Sequence, residues 1–268
     1  MDYTRNACGR VWLIGGTRES GELAIALARA ELPCTVTVTT EAARSLYPSA
    51  PTLRVIVGRL DADKLAEFLQ QQQIVAVLDA SHPYAVEISR MAIASATQKQ
   101  IPYLRYERPS IDSQMGSRSL MLLDSFDTLL AGDYLYQQRV LLTVGYRPLS
   151  LFRLWQDRSS LFARILPSAT AIDAALAAGF KPERLIALRP PIPPDLEKAL
   201  WQHWKISLVV TKASGVAGGE DVKRALAAEL GIPLIVIARP NVSYPQQTSE
   251  LSATLEFCRC YLFSGFVP

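Results

Sequence analysis

The sequence predicts an α/β protein built on parallel sheets. Three observations carry that prediction: short β-rich runs alternate with helical patterns along the chain, the runs are continuously apolar, and the alternation restarts near the middle. A strand covered by helices on both faces has no polar face to show, so it reads as an unbroken apolar run, whereas a half-solvated antiparallel strand alternates. Repeated βα units then imply parallel strands joined by crossover helices.

In order, VWLIGG at 11–16 is a strand, followed by a helix around 18–31 and a second strand, CTVTVTT, at 34–40. LRVIVG at 53–58 is the third strand, and Asp61 opens a helix around 61–72. IVAVLDA at 74–80 is the fourth, a helix runs around 85–99, and IPYLRYERP holds a short fifth strand. After a polar loop at 110–119 come a helix around 125–131, strand RVLLTVG at 139–145, a helical stretch from 148 and strand LFARIL at 161–166. LIALRP at 185–190, a helix around 195–204, ISLVVTKASG at 206–215, a helix around 219–230 and PLIVIARP at 233–240 complete the second series. The 219–230 helix carries Val222, Leu226 and Leu230 on one face and stops at Gly231 with Pro233 behind it. Leu251, Leu255, Cys258 and Leu262 stand at helical spacing and predict a closing amphipathic helix with Cys258 in its buried stripe. The division is placed near 136, giving domains at 1–135 (cofactor side) and 136–268 (substrate side), and two such halves predict a cleft between them.

Composition narrows the function classes. With 49% hydrophobic and 20% charged residues and no low-complexity tract, disorder and repeats are disfavoured. A net charge of +3, spread along the chain, gives no reason to expect a nucleic-acid partner. No apolar run reaches the roughly 18 residues of a membrane span, and the start lacks the apolar core of a signal peptide. Cys8, Cys34, Cys258 and Cys260 form neither a CxxC pair nor a histidine cluster, so no metal site is predicted and a cytoplasmic setting with free thiols is expected.

Ligands of parallel sheets bind beyond the carboxyl ends of the strands, so the residues just after each strand are the candidates. The first strand runs into GGTRESG, where Gly15, Gly16, Thr17, Arg18 and Glu19 could form a pyrophosphate loop at a helix N-terminus. The spacing is not GxGxxG, so a tight turn with Thr17 as helix cap is an equal reading. Past the second strand no acid stands ready for a ribose 2′-hydroxyl; Thr39, Thr40 and Arg44 suit a 2′-phosphate, unless Arg44 is only a solvated helix residue. The fourth strand breaks into DASHPYA. Pro83 restricts His82 to extended backbone, which aims the imidazole at the binding edge, where it can donate to an anion or pass a proton, while Asp79 could orient the ring or a ligand. The alternative is that Asp79 and Ser81 cap the next helix and His82 packs. Arg105 and Arg108 in LRYERP could receive carboxylates or form a salt-bridged edge. In the second half, TVGYR and TKASGVAGG repeat the device with Arg147, Lys212, Ser214 and Gly215; because the lysine precedes the glycines, the latter is not a P-loop.

Together GGTRE, LDASHPYA, PYLRYERP, TVGYRPL, VVTKASG and IPLIVIARP resemble, in order and over nearly the whole chain, the precorrin-6A reductases of cobalamin biosynthesis, including the cobalt-precorrin-6A reductases. The resemblance implies two Rossmann-like domains with the active site between them, and NADPH-dependent reduction of one double bond in a tetrapyrrole macrocycle. It implies that the GGTRE segment, Ser81 and His82 meet NADPH. His82, or a water oriented by Asp79, would supply the proton. Tyr84, Arg105, Arg108, Arg147, Lys212, Ser214 and Gly215 would meet the substrate and its acetate and propionate groups, the TKASG segment being placed against cofactor or substrate. The glycine pair at 218–219 departs from members that run straight into the helix. A reductase of a smaller substrate would predict a Tyr-x-x-x-Lys pair, which does not stand out; a tetrapyrrole- or nucleotide-binding module without NADPH oxidation is the other rival reading.

Overall fold

The computed structural model describes residues 7–107, 111 and 119–263. Its strands form two six-stranded sheets, and every pairing among the described residues is parallel.

The first unit spans 1–109 and 241–268. Its strands are β1 (Arg10–Ile14), β2 (Cys34–Val38), β3 (Leu53–Val57), β4 (Ile74–Asp79), β5 (Tyr103–Tyr106) and β12 (Gln247–Thr248), in the order β12-β5-β4-β1-β2-β3. Its helices are α1 (Arg18–Arg29), α2 (Glu41–Arg44), α3 (Ala62–Gln71), α4 (Val86–Gln98) and α9 (Leu251–Phe263). Both faces of β2 are buried although its sequence, CTVTV, alternates: the hydroxyls of buried Thr35 and Thr37 accept from Arg10 Nε and Trp12 Nε1, each at 2.9 Å. Asp61 caps α3 by accepting the Lys64 amide at 2.9 Å. Phe257, Cys258 and Leu262 of α9 join the core over β1 and β4, each large apolar side chain contributing roughly 1.5–3 kcal/mol by leaving water.

The second unit spans 110–240. It contains β6 (Leu120–Leu123), α5 (Phe126–Ala131), β7 (Arg139–Thr143), β8 (Ser160–Ile165), α6 (Ala169–Ala177), β9 (Leu185–Ala187), α7 (Pro194–His203), β10 (Leu208–Lys212), α8 (Glu220–Leu230) and β11 (Leu234–Ile237). The sheet order is β6-β11-β10-β7-β8-β9, and the stretch from 147 to 155 is a 3₁₀ helix.

The two orders are the same pattern with one strand exchanged. In each sheet five consecutive strands run 3-2-1-4-5, and the sixth place, beside the fifth strand, is filled from elsewhere in the chain. β6 follows β5 in sequence yet pairs with β11, and β12 follows β11 yet pairs with β5. A single cut near 136 therefore does not match the structure: β6 and α5 belong with the second sheet, while β12 and α9 return to the first. Among the described residues no helix is long and apolar enough to cross a membrane.

Candidate active site

In a 3-2-1-4-5 order the connections reverse direction between the first and fourth strands, and the crevice there is where such sheets bind ligands. In the first sheet this lies between β1 and β4, at the GGT and ASH segments. Thr17 ties the two together, its hydroxyl donating to the Ala80 carbonyl at 2.9 Å.

The GGT loop is largely satisfied by itself. The Gly15 amide donates to the Thr37 carbonyl, the Gly16 amide to the Tyr47 hydroxyl at 2.7 Å, and the Thr17 amide to Ser20 Oγ at 3.0 Å. Thr17 and Ser20 form a capping box on α1. These three amides are therefore not the open phosphate cradle that the glycines suggest. Gly15 is needed for packing, since a Cβ there would lie 2.2 Å from the Tyr47 hydroxyl. Gly16 differs: its φ of +102° needs glycine and the space beside it is open. Arg18 is exposed and paired with Glu22, and Glu19 lines a pocket described below. Thr40 caps α2 through the Ala43 amide, leaving Arg44 exposed at the end of that turn.

DASHPYA is held from below. Asp79 is fully buried and accepts from the Ser81 amide (2.9 Å), Ser89 Oγ (2.6 Å), the Tyr103 hydroxyl (2.6 Å) and Arg105 Nη1 (2.9 Å). The same Arg105 nitrogen reaches Ser81 Oγ at 3.1 Å, and its Nε pairs with Glu107. Tyr244 stacks on the guanidinium at 5.1 Å. Burial opposes the Arg105 charge, but Asp79 and Glu107 outweigh it and raise its pKa. Burial first, then the Asp79 charge, push the Tyr103 phenol well up, so it stays a neutral donor.

This overturns two expectations. Asp79 does not orient His82: its four donors are others, and no lone pair faces an approaching ligand. Arg105, only 1% exposed, is the counterion of Asp79 rather than a hand for substrate carboxylates. The physical reason is register: Arg105 is paired with Asp79 across adjacent strands, where a buried carboxylate needs a buried cation. Ser89, Tyr103 and Tyr244 escaped the sequence reading. A charged residue closing an apolar strand was the signal that such partners must exist.

His82 itself is exposed, and Tyr84, half-buried beside it, donates its amide to His82 Nδ1 at 3.3 Å. A neutral imidazole accepting at Nδ1 carries its proton on Nε2, as a donor. Neither Asp79 nor Ser81 caps α4, whose N-cap is Ala85. A pocket at this edge is lined by Thr17, Glu19, Ser81, Pro83, Tyr106 and Glu107, with Arg105 beneath. Arg108 lies outside the described residues.

The corresponding crevice of the second sheet lies between β7 and β10. Gly145 adopts φ +78° with open space beside it, and exposed Arg147 follows, its guanidinium 5.9 Å from the Tyr146 ring. Lys212 ends β10 half-buried; burial, then the Arg147 charge, lower its pKa to about 8. Ser214 is buried, and the Gly215 amide is taken by Glu220 Oε2 at 2.8 Å. This loop, too, is not an open anion cradle: an internal carboxylate already sits on it. Of the expected residues here, Arg147 and Lys212 face each other's charge, whereas Ser214 and Gly215 are structural. No group of three or more His, Cys, Asp or Glu is placed to hold a metal among the described residues.

The family model for precorrin-6x reductase CbiJ/CobK matches residues 10–259. The chain belongs to the precorrin-6x reductase family. A cobalt-precorrin-6A reductase from Synechocystis sp. is 48% identical over 255 residues, covering 94% of this chain and 97% of the relative. A precorrin-6A reductase from Rhodococcus erythropolis is 33% identical, covering 90% and 93%. Among solved structures, a CobK precorrin-6A reductase superposes with a TM-score of 0.78 at 24% identity, covering 95% of this chain and 98% of that one, which shows the shared fold. The protein is thus an oxidoreductase of a family that works with a nicotinamide cofactor.

Proposed function

We propose that this precorrin-6x reductase family member reduces one double bond of cobalt-precorrin-6A with NADPH. The observation that carries the reading is the rigid SHPY edge over the Asp79–Arg105 pair, in a chain 48% identical to a cobalt-precorrin-6A reductase. That relative, closer than the 33% identical precorrin-6A reductase, favours the cobalt-bearing macrocycle as substrate.

The residues of the first unit fit a nicotinamide nucleotide. Gly16 leaves an open face beside its backbone, and Arg44 makes no ion pair among the described residues, which supports a 2′-phosphate and hence NADPH over NADH. When bound, the reduced nicotinamide supplies the hydride. The double bond gains that hydride on one carbon and a proton on the other, so the protein's part is to hold the partners and deliver the proton. His82 is the donor best placed for it: exposed, on a segment fixed by Pro83 and the Ser81 contacts, it would give up the proton as the imidazolium and be left as neutral imidazole. Tyr84 lines its flank. Arg147 and Lys212 supply the positive charge that acetate and propionate groups require.

An anaerobic assay with NADPH or NADH and either macrocycle tests this. The expected result is loss of the nicotinamide absorbance coupled to the spectral change of the macrocycle, faster with NADPH and the cobalt form. No oxidation with either macrocycle would overturn the reading in favour of a binding module.

A further inference from the structure

The loop from Lys212 to Gly219 passes through two positive-φ positions, Gly215 (φ 68°, ψ −169°), which only glycine tolerates, and Gly219 (φ 66°), which favours it, with a 3₁₀ turn, Val216–Gly218, between them. It is also closed tightly on itself, since a Cβ on Gly218 would lie 1.9 Å from Ser214 Oγ. Two charged side chains of α8, both essentially buried, hold it from beneath. Glu220 accepts the Gly215 amide with Oε2, while its other oxygen takes Arg224. Lys223 donates to the Gly218 carbonyl at 2.8 Å and the Gly219 carbonyl at 2.9 Å.

We propose that Glu220 and Lys223 are positioning residues for the reaction: they grip the 212–219 loop at its middle and at its far end, and so fix the turn out of which Lys212 presents its charge. The inference rests on the reading above, in which Lys212 meets the acid groups of the macrocycle. Burying a lysine is costly, and burial, then the nearby Arg164, lower the pKa of Lys223 to about 8. Arg164 already has its own partner in Glu197, which also accepts from Trp201 at 3.0 Å. Lys223 therefore stands on the loop carbonyls and not in an ion pair. A cation needed only to hold α8 on the sheet has no reason to end on the carbonyls of the turn that follows Lys212.

The test uses Glu220→Ala, Glu220→Gln and Lys223→Met in the full chain, read by amide exchange at 213–219, by titration of the macrocycle and by steady-state kinetics. Glu220→Ala and Lys223→Met are expected to speed Gly215 exchange about tenfold or more without global unfolding. Macrocycle affinity and KM are expected to weaken about tenfold, with the NADPH KM changing less than about twofold. Glu220→Gln, which keeps an acceptor for Gly215, is expected to recover most of both. If Lys223→Met does not fold, the Glu220 pair decides. Folded variants with native exchange, or with native macrocycle affinity despite a lowered melting temperature, would overturn the clamp. A native protein that oxidises no NADPH with either macrocycle would instead sink the underlying reading, while the exchange data would still report on the clamp itself.

Discussion

At the carboxyl edge of the first sheet one buried carboxylate, Asp79, gathers four donors and is neutralised by Arg105, so the charge pair is sealed within the floor of the site. At the second, Glu220 and Lys223 sit apart and each grips backbone, one an amide and the other two carbonyls. The first arrangement stabilises a short turn by ion pairing across two strands; the second folds a glycine-rich loop around side chains from its own following helix. A sealed pair is intolerant of losing one member, because the other is left charged in a dry place. Losing a backbone clamp leaves chiefly a peptide group unpaired, which costs less than a stranded buried charge.

Removing one member tests that contrast most severely. Asp79→Ala is expected to cost about 3–5 kcal/mol of stability, since it takes the buried acceptor from Ser89, Tyr103 and Arg105 together and leaves Arg105 only the partly exposed Glu107. Glu220→Ala is expected to cost about 1–3 kcal/mol, the price of an unpaired amide and a freed Arg224. Chemical denaturation of both variants checks the ranking; equal losses would break the distinction between sealed pair and clamp.

His82→Ala probes what the first floor supports. The side chain is exposed, so stability should move by less than about 0.5 kcal/mol. If His82 delivers the proton, kcat should fall about 10²- to 10⁴-fold with the NADPH KM little changed. A raised NADPH KM at native kcat would make it a cofactor ligand instead.

The second region differs in its pH response. The Lys212 pKa, about 8, lies below its ordinary 10.5. Below pH 8 folded and unfolded chains both hold this proton and the cost of burying the charge stands in full. Between about 8 and 10.5 the unfolded chain binds more protons, so this group's contribution to stability becomes more favourable as pH rises. Macrocycle affinity is expected to move the other way, falling as pH rises through about 8 because the cation is lost. Comparing native protein with Lys212→Met by thermal melts and binding titrations isolates both trends. Parallel trends would show that Lys212 does not meet substrate charge.

Much of this architecture is legible in the sequence because buried parallel strands cannot hide their apolar runs; β1, β4, β7, β10 and β11 are where those runs stand. β6 is less visible, a four-residue edge strand with Met121 and Leu122 exposed, and so is α6, whose alanine-rich face has little amphipathic contrast. The exchange of β6 and β12 between sheets leaves no local trace, since pairing partners are set by distant residues. The site shows the same limit. The motifs mark which segments matter, but whether a polar residue faces ligand or floor depends on cross-strand register. Asp79 and Arg105 are polar residues at a binding edge that turned inward, as did Ser214, and the Gly215 amide is taken by Glu220. His82, Arg147 and Arg44 are exposed, as ligand contacts must be.

Arg44 gives the smallest and most discriminating expectation for the first region. It stands exposed at the end of a four-residue helix capped by Thr40, and its contact with core residue Tyr47 is made by the backbone carbonyl, so Arg44→Ala should leave stability within about 0.5 kcal/mol. If it meets the 2′-phosphate, the variant should raise the NADPH KM about tenfold, equivalent to about 1.4 kcal/mol, and leave the NADH KM unchanged. Because only the phosphate distinguishes the two nucleotides, the ratio of the two effects excludes any general disturbance of the fold. Equal changes would remove Arg44 from the nucleotide contact, and the assignment of the first region as the nucleotide side would then rest on Gly16 and the SHPY turn alone.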